Sequence, residues 1–353
     1  MERRTRLFPL QKCASFSTWL WGLARRHPQS VCRIALRRVS LQGNAGEGPH
    51  RDAAADRRRR RMIIATAAYP LDWLDSWAQY EDKLASWVAE AAGNGADLLV
   101  FPEYGAMELS TLDGAAVAGD LEQSIHSVSE KMEDAAALHL KLAAEHGVHI
   151  LGASAPVNSG LDRPVNRAEL YTPAGKRDHQ DKQIMTRFER EDWGIMGGGP
   201  LKIFDTALGR IGVLICYDSE FPLLGRALAE TDVILVPSCT EALAGYWRVR
   251  IGAMSRALEN QCVTAMASIV GANEWSEAVD MNTGTGGIFG PPDKGFPGTG
   301  VLAEGTLSQP GWTYGEANLK AIAHVRADGG VLNRLHWEEQ MPRVKSVTKA
   351  ALS

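Results

Sequence analysis

An α/β fold built on mixed sheets is what this sequence predicts, on three observations. Short apolar runs of strand character alternate with longer stretches whose apolar residues recur at helical spacing. The connections between them are short. Some are turn-rich pairs that read as hairpins and others enclose a helix, so parallel and antiparallel neighbours are both expected. The elements follow in order from Met62. A strand over Met62–Ala68 leads to a helix from about Asp75 to Ala92, with Trp77, Leu84, Trp87, Val88 and Ala91 on one side. Gly93-Asn94-Gly95 ends it. A buried strand, Asp97–Phe101, runs into Pro102-Glu103-Tyr104. A helix from about Leu121 to Glu145 presents Ile125, Val128, Met132, Ala136 and Leu140 on one face, with Gly147 beyond its end. A strand over Val148–Ala153 follows.

The middle of the chain is more polar. Strand Leu170–Thr172, a turn at Pro173-Ala174-Gly175 and a polar strand reach Asp181-Lys182; an irregular segment ends at Gly197–Pro200. A hairpin turning near Leu208-Gly209 brings in the apolar run Ile211–Ile215, which stops at Cys216. Strand Asp232–Pro237, helix Tyr246–Asn260 and strand Gln261–Ser268 come next. A Gly/Pro-rich region from Gly284 to Gly300 gives way to a strand near Val301, and residues 318–325 read as one more strand.

The 353 residues suffice for one large domain or two ordinary ones. Five cysteines are an odd number, widely spaced and without a C-x-x-C pair, which argues against a disulfide framework or a zinc site and fits a reducing, cytoplasmic compartment. No run approaches the ~18 apolar residues of a membrane span. Residues 1–61 carry 15 Lys and Arg against 4 Asp and Glu, whereas the remainder carries 23 against 38. A basic tail for nucleic acid or a membrane surface and a targeting peptide are possible readings of 1–61. The reading taken is a basic extension that is disordered or comes from an over-extended translation start, with Met62 opening the domain proper. The expected division is thus 1–61, a domain over 62–330 and a polar tail over 331–353. The acidic domain is not expected to bind nucleic acid through its general field.

Three polar residues fall at strand ends: Glu103, Lys182 and Cys216. Singly, each has a plainer reading, as a helix cap, a solvated lysine and a small buried apolar residue. Together they supply a general base and acid, a cation for an oxyanion, and a thiol nucleophile, which suffice for acyl transfer from an amide.

From Met62 to Val325 the sequence resembles the nitrilase superfamily of carbon–nitrogen hydrolases. The motifs stand in family order: Phe101-Pro102-Glu103, Asp181-Lys182, Cys216-Tyr217-Asp218 with Phe221-Pro222, then Val236-Pro237-Ser238, Arg256–Asn260 and the loop Gly287–Pro292. The resemblance implies a four-layer αββα sandwich of two mixed β-sheets flanked by helices. It makes Glu103 the base and acid, Lys182 and the backbone N–H of Tyr217 the oxyanion donors, and Cys216 the nucleophile of a thioester mechanism with no metal or organic cofactor. It also implies a second glutamate about eight residues after the lysine; Glu189 and Glu191 straddle that place, and Glu189 is chosen because it follows Phe188. Ser268 departs from the family, where Asn is common. Tyr217-Asp218 resembles the amidase-type branches and points to a small-molecule carboxamide, with nitrile, N-carbamoyl or N-acyl-transfer chemistry as the alternative. Tyr104, Trp193, Glu241, Tyr246 and Trp247 are candidates for the pocket wall. A helix beginning at Trp247 and Val249 is a candidate interface for a homodimer or higher even-numbered homo-oligomer. Neither a membrane nor a nucleic acid is an expected partner of the domain.

Overall fold

The computed structural model describes residues 61–352, so the expected basic extension, Arg61 apart, lies outside the described residues. Strand β1 (Arg61–Pro70) leads to helix α1 (Trp77–Gly93), strand β2 (Leu98–Val100) and the long helix α2 (Leu121–His146). Strands β3 (His149–Leu151), β4 (Ala155–Val157), β5 (Val165–Tyr171) and β6 (Arg177–Asp181) follow, then the short helix α3 (Arg187–Glu191). The second half holds β7 (Phe204–Thr206), β8 (Gly209–Val213), α4 (Pro222–Ala227), β9 (Val233–Ser238), α5 (Leu243–Asn260) and β10 (Val263–Ala272). The chain continues through β11 (Met281–Asn282), β12 (Gly287–Phe289), β13 (Val301–Glu304), β14 (Gly311–Asn318) and α6 (Leu319–Asp328).

Local chemistry sets the helix ends. Ser76 caps α1 by accepting from the Gln79 N–H, and Asp120 caps α2 by accepting from Glu122 and Gln123. Gly147, at φ 68°, closes α2 in the left-handed conformation that a glycine adopts without strain.

The strands form one hydrogen-bonded network with the order β4-β5-β3-β2-β1-β10-β9-β8-β7. Pairing is parallel along β3-β2-β1-β10-β9-β8 and antiparallel at both ends, as the mixture of crossovers and hairpins requires. The network nevertheless works as two sheets. Among the described residues its halves share only the three-residue joint of Ala68–Pro70 with Ser268–Val270. Side-chain alternation separates the layers: Met62, Ile64, Leu98 and Val100 enter a core shared with β8, β9, β10 and the inner face of α5. Their neighbours Ala65, Ala67, Leu99 and Phe101 enter a second core under α1 and α2. The order helix, sheet, sheet, helix is the expected four-layer sandwich.

The two sheets meet closely where glycines stand. A β-carbon on Gly286 would lie 2.6 Å from the Thr66 hydroxyl and 2.7 Å from the Thr66 carbonyl oxygen; one on Gly315 would lie 2.8 Å from the Ile288 side chain.

Three expectations need correction. Residues 318–325 are not a strand: the strand is Gly311–Asn318, and Asn318 then caps α6 by accepting from Lys320 and Ala321. The buried residues Leu319, Ile322 and Val325 recur every three positions, a helical repeat. The segment after Lys182 contains α3, begun by a capping box in which Thr186 and Glu189 each bond the other's backbone N–H. The loop Gly287–Pro292 opens with β12, which pairs with β10 and β13.

Gly286→Ala is expected to lower stability by ~1–3 kcal/mol, because the facing backbone of β1 cannot move away. Urea unfolding measures this. An unchanged midpoint would mean that the sheets are not in close contact there.

Candidate active site

Four chain segments deliver the site, each leaving the end of a strand. Glu103 lies just beyond β2, Lys182 directly after β6, Cys216 just beyond β8 and Cys239 directly after β9. Open α/β sheets place their crevices at the carboxyl ends of parallel strands for this reason. Glu103 and Lys182 come from one sheet, Cys216 and Cys239 from the other.

Cys216 sits on a bend. Its φ is 49°, a strained value for a residue with a β-carbon, and a 3₁₀ turn over Cys216–Glu220 follows. The Ser219 hydroxyl donates to the Cys216 carbonyl (2.7 Å), which fixes the bend. Tyr104, next to Glu103, is also left-handed at φ 55°, and its N–H donates to the Ser154 hydroxyl (2.9 Å). The Cys216 thiol donates to the Cys239 carbonyl at 3.7 Å.

Lys182 is buried between two carboxylates. Its ammonium donates to Glu103 Oε1 (2.7 Å) and to Glu189 Oε2 (2.6 Å). Glu103 also accepts from Asn166 Nδ2 (2.9 Å) and, at its other oxygen, from the Cys239 N–H (2.9 Å). Glu189 accepts from the Tyr104 hydroxyl (2.6 Å) and from the N–H and hydroxyl of Thr186 (2.8 Å each). Glu191 instead faces solvent and pairs with Arg187.

The environment separates the two carboxyls. Burial raises Glu103 above the ordinary range, and the charge of Glu189 adds to this against the pull of Lys182. Burial would raise Glu189 too, but the Lys182 charge and the bonds from Lys182, Tyr104 and the Thr186 backbone outweigh it and hold Glu189 low. Lys182 would be lowered by burial; its two carboxylate neighbours keep it well above its usual value. Burial, then the charge of Glu103, pushes the Cys216 thiol well up. The set is a carboxyl with a raised pKa, a fixed cation and a thiol that burial holds toward its protonated form.

These groups open into a cavity of about 460 Å³, lined among others by Glu103, Lys182, Cys216 and Tyr217. Tyr104, Trp193 and Glu241 also reach it. Tyr104 and Trp193 pack ring to ring at 4.7 Å, and Trp193 donates to the Leu121 carbonyl (3.0 Å), so both are wall and support. Tyr246 is a correction. It lies in the core between β9, β10 and α5, and its hydroxyl accepts from Arg250 (3.0 Å) rather than facing the cavity. Trp247 points outward from α5 and is absent from the cavity wall. Ser268 and Ser238 are buried beneath the site and donate to the Thr285 and Ala267 carbonyls.

Asn166, Ser154 and the Cys239 N–H were not found by sequence reasoning. Asn166 is an inward polar residue on β5 whose oxygen accepts from Ser154 (2.6 Å) while its nitrogen holds Glu103. The one available signal was an Asn within an alternating strand.

Lys182→Ala is expected to cost about 3–5 kcal/mol of stability, because two buried carboxylates lose their counter-charge. A buried carboxyl whose folded pKa exceeds its unfolded one favours folding at low pH. Without the ammonium both buried carboxyls are expected to be raised, so the deficit should be larger at about pH 8 than at about pH 5. Urea unfolding at both pH values reads this; an equal loss at each would mean that the carboxylates are compensated elsewhere.

Comparison with known proteins bears on the family of the chain. The family model for carbon-nitrogen hydrolase matches residues 63–315. A probable hydrolase of Bacillus subtilis, YhcX, is 31% identical over 275 residues, 76% of this chain and 52% of its own length. An (R)-stereoselective amidase of a Pseudomonas species is 32% identical over 191 residues, 53% of this chain and 64% of its own. The chain thus spans between half and two thirds of these relatives. Among solved structures, an amidase from Nesterenkonia sp. superposes with a TM-score of 0.57 at 24% identity, covering 79% of this chain and 96% of that one. A carbon-nitrogen hydrolase from Helicobacter pylori gives 0.62 at 16% identity, covering 76% and 93%. With the motifs, the sandwich and the match across most of its length, the chain belongs to the carbon–nitrogen hydrolase family of the nitrilase superfamily.

Proposed function

We propose that the protein hydrolyses a small-molecule carboxamide to a carboxylate and ammonia through a thioester on Cys216. The observation that carries this reading is the single cavity onto which Glu103, Lys182 and Cys216 all open, with Lys182 held on the base by a 2.7 Å bond. As the thiol attacks the amide carbon, Glu103 takes its proton. The oxyanion forms against the Lys182 ammonium and the backbone N–H of Tyr217. Glu103 returns the proton to the nitrogen, the C–N bond breaks and ammonia leaves. Glu103 then takes a proton from water, which attacks the thioester; collapse frees the acid and the thiol is reprotonated. Glu189 keeps Lys182 charged and in place. Tyr104, Trp193, Tyr217 and Glu241 are the proposed substrate-facing residues. The cavity size suits a small ligand. Similarity to a stereoselective amidase favours an amide, and similarity to plant nitrilases makes a nitrile the comparison substrate.

Free thiols at Cys216, Cys239 and Cys262 fit a reducing compartment, and a cytoplasmic location is part of this proposal. Among the described residues no helix is long and apolar enough to cross a membrane.

The proposal includes a homodimer. Leu243, Trp247, Ile251 and Leu258 are exposed apolar residues at steps of four, four and seven along α5, with Met254 between the last two partly buried against the core; Ile251 is 58% exposed. The helix begins at Leu243, before Trp247 and Val249, and Val249 lies in the core.

An ammonia-release screen over aliphatic, aromatic, ω-amide and carbamoyl substrates, with a nitrile of equal chain length, tests the chemistry. Cys216→Ala should lower turnover by ~10³-fold or more, and mass spectrometry of quenched wild type should show an acylated Cys216. Full activity of Cys216→Ala would end the mechanism. For assembly, Ile251→Glu should convert the dimer to monomer in sedimentation velocity; an unchanged mass would place the interface elsewhere.

A further inference from the structure

Asp218 is a buried carboxylate that the reaction above does not use. It stands two residues after the nucleophile, in the 3₁₀ turn, and is fully buried. Both of its oxygens face backbone N–H groups. Oδ1 accepts from Gln183 (3.1 Å) and Ile184 (2.8 Å); Oδ2 accepts from Gln183 (3.1 Å) and Ile215 (3.2 Å). Each of these donors adjoins a catalytic candidate: Gln183 and Ile184 follow Lys182, and Ile215 precedes Cys216.

The two segments have no strand pairing with each other. Lys182 leaves β6, which pairs with β5 in one sheet; Cys216 leaves β8, which pairs with β7 and β9 in the other. Gln183 and Ile184 lie outside any helix or strand. A carboxylate with two acceptor oxygens is suited to such a place, because one side chain can gather several divergent N–H groups. An amide cannot replace it without turning its NH₂ toward one set of donors.

We propose that Asp218 is a positioning residue, whose carboxylate joins the two sheets at the site and fixes the separation of the Cys216 thiol from the Lys182 ammonium. It touches no substrate. Its effect is to hold the attacking sulfur and the oxyanion cation in one geometry, where a displacement of about 1 Å is worth ~10²-fold in rate. Burial is what this costs: it pushes the Asp218 carboxyl up to about 7, while the Lys182 charge and the three N–H donors favour the anion.

The inference rests on Cys216 being the nucleophile, and its tests separate the two ideas. Asp218→Asn is expected to lower kcat ~10–100-fold with KM within ~threefold, and to slow alkylation of Cys216 by iodoacetamide. Glu108→Gln is the control. That carboxylate is equally buried and accepts from Tyr69, Asp72 and Lys83, none of which lines the cavity, so it should lose comparable stability and keep kcat within ~twofold. Equal kcat losses in the two variants, or an unaffected Asp218→Asn, would overturn the positioning role. Should Asp218→Asn not fold, amide hydrogen exchange on the wild type decides. The Gln183 and Ile184 N–H groups should exchange ~100-fold or more slowly than free loop amides, and free-loop rates would overturn the clamp. Retained activity in Cys216→Ala would end the proposed mechanism while leaving the exchange result to stand for the clamp itself.

Discussion

The site depends on one buried ammonium shared by two carboxylates. Lys182 sits between Glu103 and Glu189 with almost no exposure; Glu103 comes from 79 residues earlier in the chain, and Glu189 lies seven residues beyond the lysine. Isolated charges would not tolerate that burial. The cluster is held because its excess negative charge meets further donors: Asn166 and the Cys239 N–H on Glu103, Tyr104 and Thr186 on Glu189. Every one of those donors must be in register for the charges to be stable. The cluster therefore specifies geometry more than it adds stability.

That requirement explains the architecture around it. Glu103 and Lys182 rise from one sheet, Cys216 from the other, and among the described residues the sheets share strand pairing only over Ala68–Pro70 and Ser268–Val270. Alignment of the two halves must come from packing and from polar ties between strand ends. Glycines where the sheets face each other allow the close packing. The bond from the Cys239 N–H to Glu103 and the bonds from Gln183 and Ile184 to Asp218 are the polar ties. Behind Cys216, Gly252 lets α5 approach the turn: a β-carbon there would lie 2.8 Å from the Ser219 carbonyl oxygen. The helix that carries the outward apolar stripe thus also backs the bend that strains Cys216.

Much of this was legible in the sequence because strand ends are. An apolar run that stops at a charged or nucleophilic residue marks both the strand and its mouth, which is how Glu103 and Cys216 stood out; Lys182 ends a polar strand and was legible only in company with them. Contacts made at long sequence separation left no such mark. Asn166 lies 63 residues from Glu103, and the Cys239 contribution is a backbone N–H, which any residue but proline possesses. Tyr246 was misplaced because nearness to a motif in sequence does not fix a helix face. One turn further on, Arg250 takes its hydroxyl and turns it into the core. The strand Gly311–Asn318 was missed because few of its side chains are buried, so its pattern is weak, whereas the apolar content of α6 drew the strand assignment toward it.

The electrostatics also bear on how the thiol is activated. A cysteine made reactive in advance needs surplus positive charge beside it. Here Lys182 is already shared by two carboxylates, and burial together with Glu103 keeps Cys216 protonated. In the proposed reaction the thiolate is therefore not a resting species. Glu103 and Cys216 are both displaced upward, so the proton passes between groups that each hold it more tightly than in water. The transfer becomes favourable only as negative charge moves from sulfur to the carbonyl oxygen, where Lys182 can meet it. Selectivity for an acyl substrate over a casual electrophile then follows from the placement of the ammonium. An electrophile that develops no oxyanion near Lys182 gains nothing from it, while an amide carbonyl correctly seated draws both the proton transfer and the attack forward together.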